Sequence, residues 1–227
     1  MSQQPGMDEI SRVKERIEAE IRALPARDTA SMRPIRKDFS RQLAGFSPEF
    51  VLGLAGEMIE DDLYRWFAYE LVANHRAAFQ SLGEAELEAL SQGINSWWTV
   101  DSFARTLSGP AWLHGLVRDE LIHRWAGSED RWRRRAALVS TVALNVRSQG
   151  GYGDAPRTLD VCRLLVGDHD DMVVKALSWA LRELVAHDPE AVRHFLDENE
   201  NILASRARRE VQNKLFSGYK NPKRPAS

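Results

Sequence analysis

The stretch Asn95-Ser96-Trp97-Trp98-Thr99-Val100-Asp101-Ser102-Phe103 carries the spacing in this chain most suggestive of chemistry. On a helix, residues three and four apart are neighbours, so Trp97 and Trp98 both come within reach of Asp101. A carboxylate beside indoles is partly desolvated, which strengthens its pull on any cation set before it. A further aromatic, Trp179, sits in a helical pattern whose apolar stripe is Val174, Leu177, Leu181 and Leu184. Two residues past Leu177 is about 200° around a helix, so Trp179 points away from that stripe. Its neighbours at three and four residues are Lys175, Ala176, Arg182 and Glu183. An indole among cations suits a stacking platform for a base, a sugar or a cation, bordered by groups that bind phosphate. Each feature also has a plain structural reading. Asp101 can cap a neighbouring helix, Trp97 and Trp98 can fill a core, and Trp179 can pack on the next helix pair.

The elements that must position these residues are helices. Residues 130–147 place Trp132, Ala136, Val139, Ala143 and Val146 at alternating steps of four and three, one apolar stripe. Residues 171–186 repeat the pattern, and similar stripes run through 51–60, 63–75, 100–107, 112–125, 159–166, 189–196 and 202–216. Helix-entry signals stand at Ser47-Pro48-Glu49, at 81–84, at Ser128-Glu129-Asp130 and at Asp188-Pro189-Glu190. Alternation with period two is absent, so the expected class is all-α. Helices of about 10–18 residues with short links favour stacked pairs over a bundle of long rods. The openings at 128–132 and 169–173 lie about 40 residues apart, in the range of HEAT and armadillo repeats. The expectation is one HEAT-like α-solenoid domain over 1–227, curved, with a concave basic face. Its ordered helices should cover about 8–217, followed by a loose basic tail at 218–227. The glycine-rich connection 147–156 is expected to be mobile.

Composition sets the class. The 227 residues are 43% hydrophobic and 28% charged, globular proportions that exclude a disordered or fibrous chain. A single cysteine, Cys162, cannot form an internal disulfide, so a reducing, cytoplasmic setting is expected. The N-terminus lacks a secretory pattern, and no apolar run approaches the roughly 20 residues that span a bilayer. The formal charge of −2 taken alone argues against nucleic acid as a partner. Local tallies reverse that. Residues 57–88 hold eight acids and two bases, net −6, whereas 124–147 reach +4 and 206–224 reach +6. A basic face can sit behind a neutral total.

Other chemistries find no support. Six histidines show no HExxH and no close Cys/His spacing, so no metal site is expected. No GxGxxG, GxxxxGK[ST] or GxSxG motif occurs, so no nucleotide cofactor or serine nucleophile is indicated. Cys162 lies in the apolar run 161–166 and reads as a buried structural thiol. No helix–turn–helix or zinc-finger pattern points to sequence-specific DNA reading.

Three ordered blocks resemble the HEAT-like DNA alkylation repair family of alkylpurine DNA glycosylases. Ser96-Trp97-Trp98-Thr99-Val100-Asp101 is similar to the family's Trp-rich segment ending in the catalytic aspartate. Residues 128–137 resemble the block whose last arginine, here Arg135, faces the DNA backbone near the lesion. Lys175-Ala176-Leu177-Ser178-Trp179-Ala180-Leu181-Arg182-Glu183 is similar to the signature holding the active-site tryptophan. Arg208-Arg209-Glu210 suits the family's closing motif, and Pro34-Ile35-Arg36-Lys37 resembles an N-terminal element. The resemblance covers about residues 31–216. It departs in the Trp segment, where Trp97 keeps the four-residue spacing to the aspartate and Trp98 keeps adjacency in the pair, so either is the equivalent aromatic. The glycine-rich connection is an addition.

The resemblance implies hydrolysis of the N-glycosidic bond of 3- or 7-alkylated purines in base excision repair, without a cofactor. Asp101, Trp97 or Trp98, and Trp179 would be the catalytic set. Arg135, with Arg134, Arg182 and Lys175, would contact double-stranded DNA containing alkylated bases. Base flipping into a deep pocket is not implied. The protein is expected to act as a monomer near the nucleoid. The competing expectation is a non-catalytic HEAT-like scaffold for DNA structures or protein partners, and convergence of these side chains on one surface separates the two.

Overall fold

The structure, a computed structural model, describes residues 6–222. Of the basic tail expected at 218–227, residues 223–227 lie outside the described residues. Two compact units divide the chain, one ending at Ile94 and the other starting at Asn95.

The first unit contains α1 (Met7–Arg22), α2 (Thr29–Gln42), α3 (Pro48–Met58), α4 (Asp62–Asn74), α5 (Arg76–Gln80) and α6 (Glu84–Leu90). Ser47 caps α3 by accepting the Phe50 N–H, with Pro48 in the first turn where its missing N–H costs nothing. At the start of α6, the backbone N–H of Gly83 donates to the Glu86 carboxylate, so the entry signal read at 81–84 begins two residues later. Phe39, Phe50, Leu54, Phe67 and Leu71 fill the core of this unit. Arg36, from the N-terminal element, is buried against Glu70 at 3.5 Å. The acidic run 57–88 belongs wholly to this unit.

The second unit contains α7 (Trp97–Phe103), a π-helical turn (Ala104–Ser108), α8 (Gly109–Leu113), α9 (Asp119–Ala126), α10 (Arg131–Asn145), a 3-10 turn (Arg147–Gln149), α11 (Ala155–Leu164), α12 (Asp171–Leu184), α13 (Pro189–Glu198) and α14 (Ser205–Ser217). It holds 20 lysines and arginines against 17 acids, so the local excess of positive charge lies here. α10 is the central element, packed by α7, the π turn, α8, α9, α11 and α12. Every residue from Arg135 to Asn145 is buried, so the predicted single stripe becomes a helix enclosed on all sides. The small residues Ala136, Ala137, Ser140, Thr141 and Ala143 allow that close approach, the two hydroxyls donating to the Ala136 and Leu138 carbonyls of the same helix.

The suspected repeat has a physical counterpart. α10 begins with Asp130 accepting the Trp132 N–H, and α12 begins 40 residues later with Asp170 accepting the Met172 N–H. The two helices pack on each other, and Arg131 of one pairs with Asp170 at the start of the other. Both units are thus all-α and built of short stacked helices. No strand occurs among the described residues.

Two expectations change. The stripe at 112–125 is two helices, because Gly115 adopts φ +72° and turns the chain between α8 and α9. The connection at 147–156 is pinned rather than mobile. Tyr152 and Gly153 N–H groups both donate to the Leu144 carbonyl, and the Gly151 N–H donates to that of Val146. At Gly153, φ is +93° and a Cβ would lie 2.4 Å from His187, whose Nε2 is 2.7 Å from the Asn145 carbonyl. Glycine therefore fits the loop against the helix end instead of loosening it.

Candidate functional site

α7 starts at Ser96, whose hydroxyl accepts the Thr99 N–H while Thr99 Oγ1 accepts the Ser96 N–H. This box fixes the phase of the first turn. Val100 and Phe103 go into the core, which turns Asp101 toward α10. Arg135, on the first full turn of α10, meets it there. Nε donates to Oδ1 and Nη2 to Oδ2, each at 2.8 Å, a bidentate pair. Nη1 donates to the Met172 carbonyl at 2.5 Å, which ties α10 to the start of α12. The Asp101 and Arg135 side chains are 16% and 6% exposed, so the pair is largely withdrawn from water.

Burial pushes the Asp101 carboxyl above the ordinary carboxylate range, opposed by its hydrogen bonds with Arg135 and by the positive charges of Arg135 and Arg105. Free valences remain on both partners. Three of the five guanidinium N–H donors are taken, leaving two. Each carboxylate oxygen likewise retains a lone pair.

Arg135 also lines a hollow of about 380 Å³ with Trp97, Met172, Lys175, Trp179, Arg182, Arg206 and Lys220. Trp97 is 58% exposed and contributes its indole to this hollow. Trp98, 37% exposed, and Asp101 are not among the residues that line it; Trp97 lines it, and Asp101 adjoins it through Arg135. Trp179 is half-buried, as its position off the core stripe requires. Its indole N–H donates to Glu183 one turn along, at 2.9 Å. The stripe residues Val174, Leu177, Leu181 and Leu184 are buried.

The hollow's cations are held by a ladder of acids. Asp171 binds Lys175 at 2.6 Å and Arg206 at 2.9 Å. Glu210 is buried and accepts from Ser178 at 2.7 Å and Arg206 at 3.2 Å, with Lys220 at 3.3 Å. Burial alone would raise the Glu210 carboxyl, but the Ser178 hydroxyl, Arg206 and Lys220 hold it below the usual range. Burial lowers the Arg182 guanidinium, against the opposing charges of Glu210 and Glu183. A cation stripped of water in this way gains from any anion that enters.

The arginine-rich block at 131–135 is used differently from its charge alone. Arg134 is turned from the hollow, binding Asp168 at 2.6 Å and the carbonyls of Ser128 and Glu129. Arg133 lies over Trp125 and Arg131 over Trp132. Arg206 of α14 and Lys220 after it line the hollow, and Arg134, expected from the resemblance as a DNA contact, does not. Only the positive sum of 206–224 signalled them. Arg105 is a further residue missed by motif, although it stands four residues after Asp101, the same interval that singled out Trp97. Among the described residues, no cluster of three or more His, Cys, Asp or Glu side chains is placed to hold a metal ion. No helix among them is long and apolar enough to cross a membrane.

Stacked, aspartate-capped helices around one cation-rich hollow make this an all-α helical-repeat protein. The chain belongs to the DNA alkylation repair enzyme family, whose model matches residues 28–215. Its role therefore lies in the repair of alkylated DNA. No curated protein and no solved structure matches the chain.

Proposed function

We propose that the protein is a DNA glycosylase that hydrolyses the N-glycosidic bond of cationic 3- or 7-alkylated purines, with Asp101 as the catalytic carboxylate. One observation carries this reading: Trp97, Trp179 and Arg135 border a single hollow, and Arg135 holds both oxygens of Asp101. A scaffold needs cations for DNA, but it does not need a desolvated carboxylate joined to an indole-lined hollow.

An alkylated purine already carries positive charge. When the bond between the sugar C1′ and the purine nitrogen breaks, the bonding pair goes to the purine, which leaves neutral without being protonated. Most glycosidases need a second carboxyl group to protonate a leaving oxygen; here one carboxylate suffices. Asp101 stabilises the positive charge growing on the sugar, and its remaining lone pairs orient the water whose oxygen joins C1′ and whose proton passes to solvent. Trp97 and Trp179 stack on the cationic nucleotide, each contact contributing roughly 0.5–2 kcal/mol. The two free N–H groups of Arg135, with Lys175 and Arg182, bind backbone phosphate. Arg134 acts indirectly, through the helix start that it braces.

The test is base release from methylated duplex DNA. Asp101→Asn is expected to lower the rate by about 10²–10³ while DNA affinity changes little. Release of 7-methylguanine by this variant at the wild-type rate would exclude Asp101 as the catalytic carboxylate.

A further inference from the structure

We propose that Arg105 is a positioning residue that holds the Trp179 ring at the hollow; only the catalytic consequence of this role rests on the glycosylase reading. Trp97 and Asp101 lie one turn apart on α7, and Arg105 follows four residues later in the π-helical turn. The π-helical turn begins at Ala104, so Arg105 leaves the chain where the helix is re-phased between α7 and α8. Its guanidinium carbon lies 5.6 Å from the Trp179 ring centroid, within the range of a cation–π contact. Arg105 does not itself line the hollow, whereas Trp179 does.

Trp179 is half-buried, and its indole N–H donates to Glu183 at the edge of the ring. That bond holds one edge of the ring and by itself leaves the tilt of its plane free. A cation over the face removes that freedom, because the attraction depends on the guanidinium staying above the ring. The anchor of Arg105 is itself fixed: its backbone carbonyl accepts the Gln149 side-chain amide at 3.0 Å. Gln149 belongs to the 3-10 turn that opens the glycine-rich connection, and that connection is pinned to the end of α10. The added loop thus braces the turn that carries Arg105. The result is a clamp from the Asp101 helix onto the indole of α12, which sets the ring's orientation before DNA arrives.

The test labels the full chain with 5-fluorotryptophan and reads the Trp179 resonance by fluorine NMR, assigned by its loss in Trp179→Phe. Arg105→Ala is expected to shift and broaden that resonance. Arg105→Lys, which keeps the charge but not the planar face, is expected to restore it in part. In base release from 7-methylguanine duplex, Arg105→Ala is expected to lower kcat about tenfold with KM within about twofold. On the alkaline plateau of the rate, the same substitution in a Trp179→Ala background is expected to add nothing further. An unchanged Trp179 resonance in Arg105→Ala overturns the proposal, as does a kcat loss that persists in full without Trp179. If wild-type protein releases no base, the glycosylase reading fails while the resonance still decides the clamp.

Discussion

Arg135 grips Asp101 by both carboxylate oxygens, 34 residues away in sequence, with two bonds of 2.8 Å. The pair ties α7 to α10, and through the Met172 carbonyl to α12, so one guanidinium joins α10 to the two helices that carry the candidate catalytic residues. Breaking it should be felt in stability as well as in chemistry. Arg135→Ala leaves a buried carboxylate without its counter-charge and is expected to cost about 3 kcal/mol, read from urea denaturation. Arg135→Lys keeps the charge but cannot span both oxygens, so its loss should be smaller.

The same burial sets a pH dependence. Asp101 must be ionised to stabilise a cationic sugar, and burial raises its carboxyl above the ordinary range despite Arg135 and Arg105. As pH falls, base release should therefore decline at a higher pH than an ordinary aspartate would give. Arg105→Ala removes one nearby positive charge, so the decline should move higher still. Rates measured between pH 4 and 8 on one 7-methylguanine duplex check both statements.

Glu210 makes the opposite prediction. Its carboxyl is held low in the folded chain, so its contribution is fully present above the unfolded-state value and is lost as pH falls through the folded one. Glu210→Gln should lower Tm by about 5 °C at neutral pH. It should also flatten the fall of Tm on the acid side, seen by calorimetry at stepped pH.

Gly109 tests the packing beneath the site. A Cβ there would lie 2.7 Å from the Ser140 carbonyl oxygen and 2.9 Å from that of Ala104, both backbone atoms that cannot swing aside. The contact brings the π turn onto α10, where Ser108 and Ser140 share a hydrogen bond of 2.7 Å. Gly109→Ala is expected to destabilise by about 2–3 kcal/mol and to lower base release by displacing the turn that carries Arg105. Full activity with native stability in this variant would mean that the turn tolerates the shift.

Salt dependence separates the hollow's cations from Arg134. Lys175→Ala and Arg182→Ala should each reduce the slope of log affinity against log salt by about one. Arg134→Ala should leave that slope nearly unchanged, because its guanidinium is spent on Asp168 and two carbonyls. Fluorescence anisotropy of a labelled duplex at several salt concentrations distinguishes the cases.

The helical class, the starts of α3, α10, α12 and α13 and the interval of 40 residues between α10 and α12 were legible in the chain itself. Each depends on local rules: capping by Ser47, Asp130 and Asp188, and apolar steps of three and four. The same rules put Trp179 off its core stripe and Trp97 on the face of Asp101. The end use of each charge was not legible, because it depends on which helices become neighbours. The four arginines of one turn go to different fates, Arg131 to Asp170, Arg133 to Trp125, Arg134 to Asp168 and Arg135 to Asp101, according to how α10 lies among α7, α9 and α12. Arg206 and Lys220 reach the hollow only because α14 packs on α12 and Glu210 gathers them there. Local sequence sets the conformation of a segment within a few residues, whereas the partner of a long charged side chain is chosen by tertiary packing.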